Sequence, residues 1–401
     1  MLKRDEKDNI TTTSLTEEID KLLDDNNNDN SDDFLLQEDN KKALGDTLTL
    51  EVDAPKGTTL EEAIATVAVN TNQDQEMVAP KKKGNLKKRL LVALAITVVY
   101  VAVVLVTLLL GGLWRIIFDV FVIGVSIIAA LEMTKAVSKK FPKPMLPIII
   151  VGIVLGFVAF YLVHFVFTNY NIFPNRYYSR RYTGGNTAFI FVIAVVFMIA
   201  IIYNMFSKRT SKNNVLATMF VLFYPVTISI YMLALSYLRP DVGSSLYEYG
   251  YNFANAGILL MFLIPAFADS GAFIVGSLIK GKKLAPRISP KKTISGAVGG
   301  VLSGVLAGGI VLILSLFVPA LNIGRLSANP ALNIVHFLVI GAIGAVFTIL
   351  GDLLASYIKR QCEVKDFSNW LPGHGGILDR IDSMILCAVF LYIYMFILSF
   401  I

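Results

Sequence analysis

From Leu90 onward the chain is built of long apolar runs separated by short polar connections, whereas no run before it approaches that length. A helix needs about 20 predominantly apolar residues to cross a bilayer. Nine runs answer to that description, at roughly 90–113, 116–133, 145–167, 187–206, 214–238, 254–279, 293–319, 331–357 and 383–401. They predict an all-α polytopic membrane protein with about nine transmembrane helices. The sixth and eighth runs exceed a simple span and carry an Asp each, so they are expected to break or to extend beyond the lipid. In the seventh, Gly296, Gly300, Gly304 and Gly308 recur at every fourth position, with Gly299, Ser303 and Ala307 beside them. Such a stripe lets another helix approach closely. The neighbour is either a helix of the same chain or a second copy, and the spacing does not choose between them.

Charge divides the chain in two. Residues 1–80 carry 20 acids against 7 bases and are rich in Asn, Asp and Thr, while the remainder carries 10 acids against 29 bases. The first part cannot bury enough apolar surface to offset its ordering entropy. The expected organisation is therefore residues 1–88, a cytoplasmic, mostly disordered acidic tail ending in a basic segment, and residues 89–401, a membrane-embedded domain. No cleavable signal peptide is expected, because the first apolar run stands behind the acidic tail. With 55% hydrophobic and 16% charged residues, the composition argues against a soluble enzyme. Two cysteines and three histidines argue against a disulfide framework and against a zinc or haem centre.

A cytoplasmic N-terminus puts 23 Lys and Arg of the connections inside and 6 outside, the asymmetry that sets orientation. This predicts a multi-pass protein of the cell membrane with its C-terminus outside. The connections around Lys280–Lys292 and Lys359–Arg380 then face the cytoplasm.

Carboxylates inside apolar runs are costly and usually face a cavity, a partner or an ion. Asp269 and Asp352 are candidates on that ground. On a continuing helix Asp352, Ser356 and Lys359 share one face, an acid, a hydroxyl and an ammonium suited to a metal ion beside a phosphate. A loop follows, Pro372-Gly373-His374-Gly375-Gly376, whose glycines allow close approach of backbone to ligand. Asp379 and Asp382 then open the ninth run, three apart on one face at a helix N-terminus. The basic connection Gly281–Thr293 adds Lys291 and Lys292 in the same compartment. Carboxylates ringed by cations are a layout for phosphoryl or nucleotidyl transfer. Neither a Walker A sequence nor a Rossmann fingerprint is present.

The 27 residues from Ser356 to Asp382 resemble the signature of the phosphatidate cytidylyltransferases in full. The match runs through Ile358, Lys359, Arg360, Lys365, Asp366, Ser368, Leu371, Pro372, His374, Gly375, Gly376, Ile377, Asp379, Arg380 and Ile381. Asp269–Phe273 and Ile288–Thr293 resemble upstream segments of the same family, and Ser295 stands where an acid or a related polar residue would be expected. The resemblance implies a dimeric, nine-helix enzyme that condenses CTP with phosphatidate to CDP-diacylglycerol and pyrophosphate. It implies a polar cavity open to cytoplasm and membrane, with Mg²⁺ and a K⁺ beside it. Asp352 and Asp379 would hold the metal, Ser356 and Lys359 would hold phosphate, and Lys365, Asp366, His374 and Arg380 would complete the catalytic set. Arg360, Asp269, Ser289, Lys291, Lys292, Thr293, Gly375, Gly376 and Asp382 would bind substrate. The implied partners are CTP, phosphatidate, membrane lipids and a second copy, and no nucleic acid. Two alternatives stand beside this. One is a CTP-dependent kinase or cytidylyltransferase for a polyprenol or ether lipid. The other is a lipid or ion transporter, against which the placing of Lys359–Asp382 in a connection rather than at the midplane argues.

Overall fold

In lipid every backbone polar group must be satisfied within its own segment, so apolar runs of this length form helices. The computed structural model describes residues 86–110, 115–169, 184–207, 211–238, 253–371 and 375–399. All of them belong to one compact unit, Lys83–Ile401. The acidic segment, with its expected disorder, lies outside the described residues, as do His374 and its neighbours Pro372 and Gly373.

Among the described residues nine long helices appear, in the order of the nine apolar runs. They are α1 (Leu86–Leu110), α2 (Arg115–Val137), α3 (Leu146–Asn169), α4 (Gly184–Phe206), α5 (Lys212–Ser236), α6 (Phe253–Ile279), α7 (Ile294–Phe317), α8 (Pro330–Gln361) and α9 (Leu378–Leu398). Eight are long and apolar enough to cross a membrane, and α1 adds the apolar stretch Thr97–Leu110. The protein is a multi-pass membrane protein. Large side chains such as Phe206, Leu278 and Phe317 point outward, as a lipid-facing surface allows. The two long runs extend rather than break. The 27 residues of α6 continue through Pro265, and α8 runs 32 residues without interruption. At 1.5 Å per residue α8 is about 48 Å long against a hydrocarbon core of about 30 Å.

The exception to regular helix is in α5, where Leu222–Thr227 forms a wide π turn around Pro225. Proline has no N–H to give and its ring crowds the carbonyl one turn back. The backbone responds by inserting a residue, so the Ile228 N–H reaches Phe223 O. The Thr227 hydroxyl donates to Leu222 O at 2.9 Å and satisfies a carbonyl that the wide turn loosens.

The glycine stripe of α7 meets helices of its own chain. A Cβ at Gly300 would lie 3.0 Å from Ala268 O of α6, and one at Gly296 would lie 2.8 Å from Ala272 O. Further along, a Cβ at Gly304 would meet Gly341 O of α8 at 2.5 Å. Both flanks of α7 are thus in backbone contact with α6 and α8. Of the two neighbours open at the level of spacing, the structure has the intramolecular one.

Between α6 and α7 the basic connection is a two-stranded antiparallel hairpin rather than an irregular loop, β1 (Lys283–Ala285) with β2 (Ser289–Thr293). Lys283 pairs with Thr293 and Ala285 with Ser289. The chain leaves α6 through Lys280 and Gly281, both at positive φ (55° and 115°), the second a conformation that glycine adopts without strain. Thr293 caps α7 by accepting from Gly296 N at 3.1 Å. The Ser295 hydroxyl donates to Lys280 O, tying the end of α6 to the start of α7.

At the opposite end of the bundle, Arg115 of α2 donates to Ser236 O at 2.5 Å and to Asn255 Oδ1 at 3.1 Å. Asn255 Nδ2 in turn donates to Leu321 O at 2.9 Å, and Tyr237 donates to Asp119. Asn255 is 2% exposed, so Asn255→Ala would take one acceptor from the Arg115 guanidinium and one donor from the Leu321 carbonyl. We expect a loss of about 1–3 kcal/mol, seen by calorimetry in detergent as a lowered thermal midpoint. Because this knot is remote from the hairpin, activity per folded molecule should stay within about twofold.

Candidate active site

The hairpin, the segment between α8 and α9, and the adjoining helix turns bring most of the chain's intramembrane charge together. Lys359, in the last turn of α8, is the hub. Its Nζ lies 2.9 Å from Asp379 Oδ1, 3.7 Å from Asp382 Oδ2 and 5.3 Å from the centre of the Phe367 ring. About two turns earlier on the same face, Asp352 pairs with Lys292 of β2 at 2.5 Å and accepts from Ser356 Oγ at 3.4 Å. The helical spacing of Asp352, Ser356 and Lys359 therefore does put them on one stripe. Asp269 of α6 joins through Ser383 Oγ, which donates to it at 3.4 Å.

Asp379 works as a clamp. While Oδ1 receives Lys359, Oδ2 accepts from the backbone N–H groups of Phe367 and Gly376, each at 2.9 Å. This folds the connecting segment back over the first turn of α9. Leu371 N donates to Gly375 O at 2.9 Å. Gly375 is at φ 78°, and a Cβ there would lie 3.0 Å from Asp379 Oδ2. A Cβ at Gly376 would lie 2.5 Å from Glu132 Oε2. These two glycines are small because two carboxylates lie against them.

Glu132 of α2 is a site residue that sequence reasoning did not single out. It is 3% exposed and accepts three hydrogen bonds: from Ser368 Oγ at 2.6 Å, Ile377 N at 3.0 Å and Leu378 N at 2.8 Å. The last two are N–H groups at the start of α9 with no helical partner, where a carboxylate also meets the positive end of the helix. The one available signal was a carboxylate in an apolar run close to its basic end.

A cavity of about 380 Å³ opens beside this cluster, lined by Asp269 and Phe273 of α6, Lys291, Lys292 and Thr293 of β2, and Asp352 of α8. Other expected residues stand apart from it. Arg360 donates to Ile288 O of the hairpin at 3.5 Å, and Ser289 is paired in the sheet. Lys365, Asp366 and Arg380 are exposed on the connecting segment and the first turn of α9. Asp366 stays near the clamp, 3.5 Å from where a Gly375 Cβ would be. His374 lies outside the described residues.

The donor set suits a hard cation. Asp269, Asp352, Asp379 and Asp382 supply only carboxylate oxygens, and Mg²⁺ is usually held by one or two carboxylates together with substrate phosphates. Among the described residues no three His, Cys, Asp or Glu side chains converge as a ready-made cage. Lys292 and Lys359 presently neutralise those acids.

Comparison with known proteins identifies the family. A model of the Cytidylyltransferase family matches residues 88–398. A phosphatidate cytidylyltransferase of Rickettsia felis is 44% identical over 135 residues, 34% of this chain and 56% of that protein. That of Bacillus subtilis is 44% identical over 124 residues, 31% of this chain and 41% of that protein. That of Haemophilus influenzae is 31% identical over 204 residues, 50% and 65% of the two chains. The chain spans about half the length of the curated relatives it matches.

Proposed function

Because the chain belongs to the cytidylyltransferase family, we propose that it condenses CTP with phosphatidate, giving CDP-diacylglycerol and pyrophosphate. The observation that carries this reading is the cavity beside Asp352. It joins the charged groups Asp269, Lys292 and Asp352 to an apolar flank at Phe273, which is 76% exposed. A phosphate carried on two acyl chains needs that combination, a polar seat for the headgroup beside a surface that lipid can touch.

In the reaction a phosphate oxygen of phosphatidate forms a bond to the α-phosphorus of CTP while the bond from that phosphorus to the β-phosphate oxygen breaks. Both substrates are strongly anionic, so the protein's task is positioning and charge neutralisation. Lys292, fixed by the Thr293 cap that follows it, and Lys359, fixed by Asp379, supply positive charge. Ser356 adds a hydroxyl donor. Asp352 and Asp379 would hold Mg²⁺, with K⁺ beside it; when bound, the metal neutralises charge on the attacking and leaving oxygens. The excess of Lys and Arg in the connections supports a cytoplasmic site, where CTP is. A homodimer completes the proposal, its surface being other than the α7 stripe.

Two results are expected. Asp352→Asn should abolish turnover while the protein remains extractable and folded in detergent, and near-normal turnover would remove Asp352 from the metal site. In an acceptor panel, label from α-phosphate-labelled CTP should enter phosphatidate; its transfer to an ether lipid instead, or transfer of γ-phosphate label to a polyprenol, would overturn the substrate assignment.

A further inference from the structure

One side of α8 carries the charged cluster and the other side faces a gap. The helix leans on α6, α7, α9 and β2, while toward α2 and α5 lies a cavity of about 660 Å³. Its α8 wall is Leu354, Tyr357 and Gln361, which lie roughly 180° around the helix from Asp352. Leu216 and Phe220 of α5 form the facing wall, and Phe141 of the α2–α3 connection closes one end. A second hollow of about 500 Å³ shares Leu216 and Phe220 and continues past Phe223 to Thr227. Those four residues fall at i, i+4, i+7 and i+11 and make one stripe of α5. From Asn213 to Thr227 the apolar track is about 21 Å long, more than the roughly 15 Å of hydrocarbon in one leaflet. A void of this size forfeits dispersion contacts along all its walls, and beside lipid the filler at hand is an acyl chain.

The mouth of the cleft is polar and basic. It lies at the end of the bundle that carries the candidate active site, with Asn213 and Gln361 in its lining. Lys140 and Lys143 flank Phe141 and Pro142 of the rim, and Lys212 precedes Asn213. All three lysines are exposed. Of the three, only Lys140 has an acid partner among the described residues, Glu363 at 2.7 Å, and that pair ties the α2–α3 connection to the end of α8. The connection is also fixed on α5. Asn214 Nδ2 donates to Lys143 O at 2.9 Å, and Met145 N donates to Thr218 Oγ1 at 2.7 Å. Lys143 and Lys212 are thereby held at one rim, beside a helix start that itself favours anions.

We infer that this cleft binds an anionic phospholipid of the adjoining leaflet, with one acyl chain along α5 and the phosphate at Lys143 and Lys212. Charge selects the headgroup and the apolar track selects the chain. This is a second lipid site, separated by the width of α8 from the one proposed for phosphatidate, and it does not rest on that reading. Ile358 and Gln361 belong to the cleft and flank Lys359 and Arg360, so the bound chain braces the turn of α8 that carries Lys359.

Phosphatidylglycerol is the probe, because its phosphate is a diester and cannot serve as the acceptor in the proposed reaction. Carrying a diazirine in one acyl chain and irradiated with the purified full chain in detergent, it should cross-link chiefly to peptides containing Leu216–Phe220 and Leu354–Gln361. Leu354→Trp fills the cleft from a position 37% exposed and should reduce that labelling at least about fivefold. A second readout uses unmodified lipid. Phosphatidylglycerol should raise the thermal midpoint of the wild type by at least about 2 °C more than phosphatidylcholine does. The surface double variant Lys143→Glu/Lys212→Glu should lose that difference, and it decides the matter if Leu354→Trp does not fold. Cross-links spread evenly over outward side chains such as Leu278 and Phe317 would mean ordinary boundary lipid and overturn the inference. Equal midpoints in the two lipids, or a difference that survives the double variant, would overturn it as well. So would Leu354→Trp splitting an oligomer in size-exclusion chromatography, since the cleft would then hold a second copy of the chain.

Discussion

Replacing Glu132 by alanine is expected to lower turnover by at least about 100-fold, roughly 2.7 kcal/mol in the barrier, although this residue faces no substrate. Its carboxylate holds Ser368 and the N–H groups of Ile377 and Leu378. Alanine leaves three donors unpaired, and the buried Leu378 N–H alone costs about 1–3 kcal/mol. The cheapest escape is for the segment from Ser368 to Leu378 to move outward toward water. Asp379 follows, because its Oδ2 is bound to Phe367 N and Gly376 N of that segment, and Lys359 then loses its nearest anion. Helix content by circular dichroism should be unchanged, since α2 itself is intact. Glu132→Gln keeps one acceptor oxygen but turns an NH₂ toward an N–H donor, so a loss of about tenfold is expected. If Glu132→Ala turned over within twofold of the wild type, the carboxylate would not be organising the site.

Gly341→Val should prevent accumulation of folded protein. A Cβ at Gly341 would press on Gly304 O and lie 3.0 Å from Gly304 C and 3.1 Å from Val305 Cα. All three are backbone atoms of α7, so no side chain can swing aside. The helices must separate, and in lipid there is no solvent-driven collapse to press them together again. Separation would also part Lys292, leading into α7, from Asp352 on α8, a pair now 2.5 Å apart. We expect the monodisperse yield in size-exclusion chromatography to fall at least several-fold, with no activity in what remains. Gly309→Val is the matched control. The nearest atom to its Cβ would be Leu338 Cδ2 at 3.9 Å, and its yield should match the wild type. Equal yields for the two variants would show that α7 and α8 are not in backbone contact.

These two residues also mark where reading the chain as a sequence stops. Apolar runs place nine helices because a bilayer leaves the backbone no other option, and the spacing of Asp352, Ser356 and Lys359 puts them on one stripe because α8 continues unbroken. Proximity along the chain likewise brings Asp379, Gly375 and Gly376 together. Glu132 reaches the same place from 236 residues away, its distance from Ser368, and no local pattern encodes such a contact. The α7 stripe shows that a close neighbour exists without naming it. The hairpin was hidden because its strands have only three and five residues and the second contains Pro290.

We propose that this membrane chain joins CTP to phosphatidate with metal held by its carboxylates. The most direct measurement is pyrophosphate release by the purified protein from CTP, with and without phosphatidate, in Mg²⁺ and in EDTA. Release that needs both phosphatidate and Mg²⁺ is the predicted result. A folded protein that releases none in their presence, or releases as much in EDTA, would contradict it.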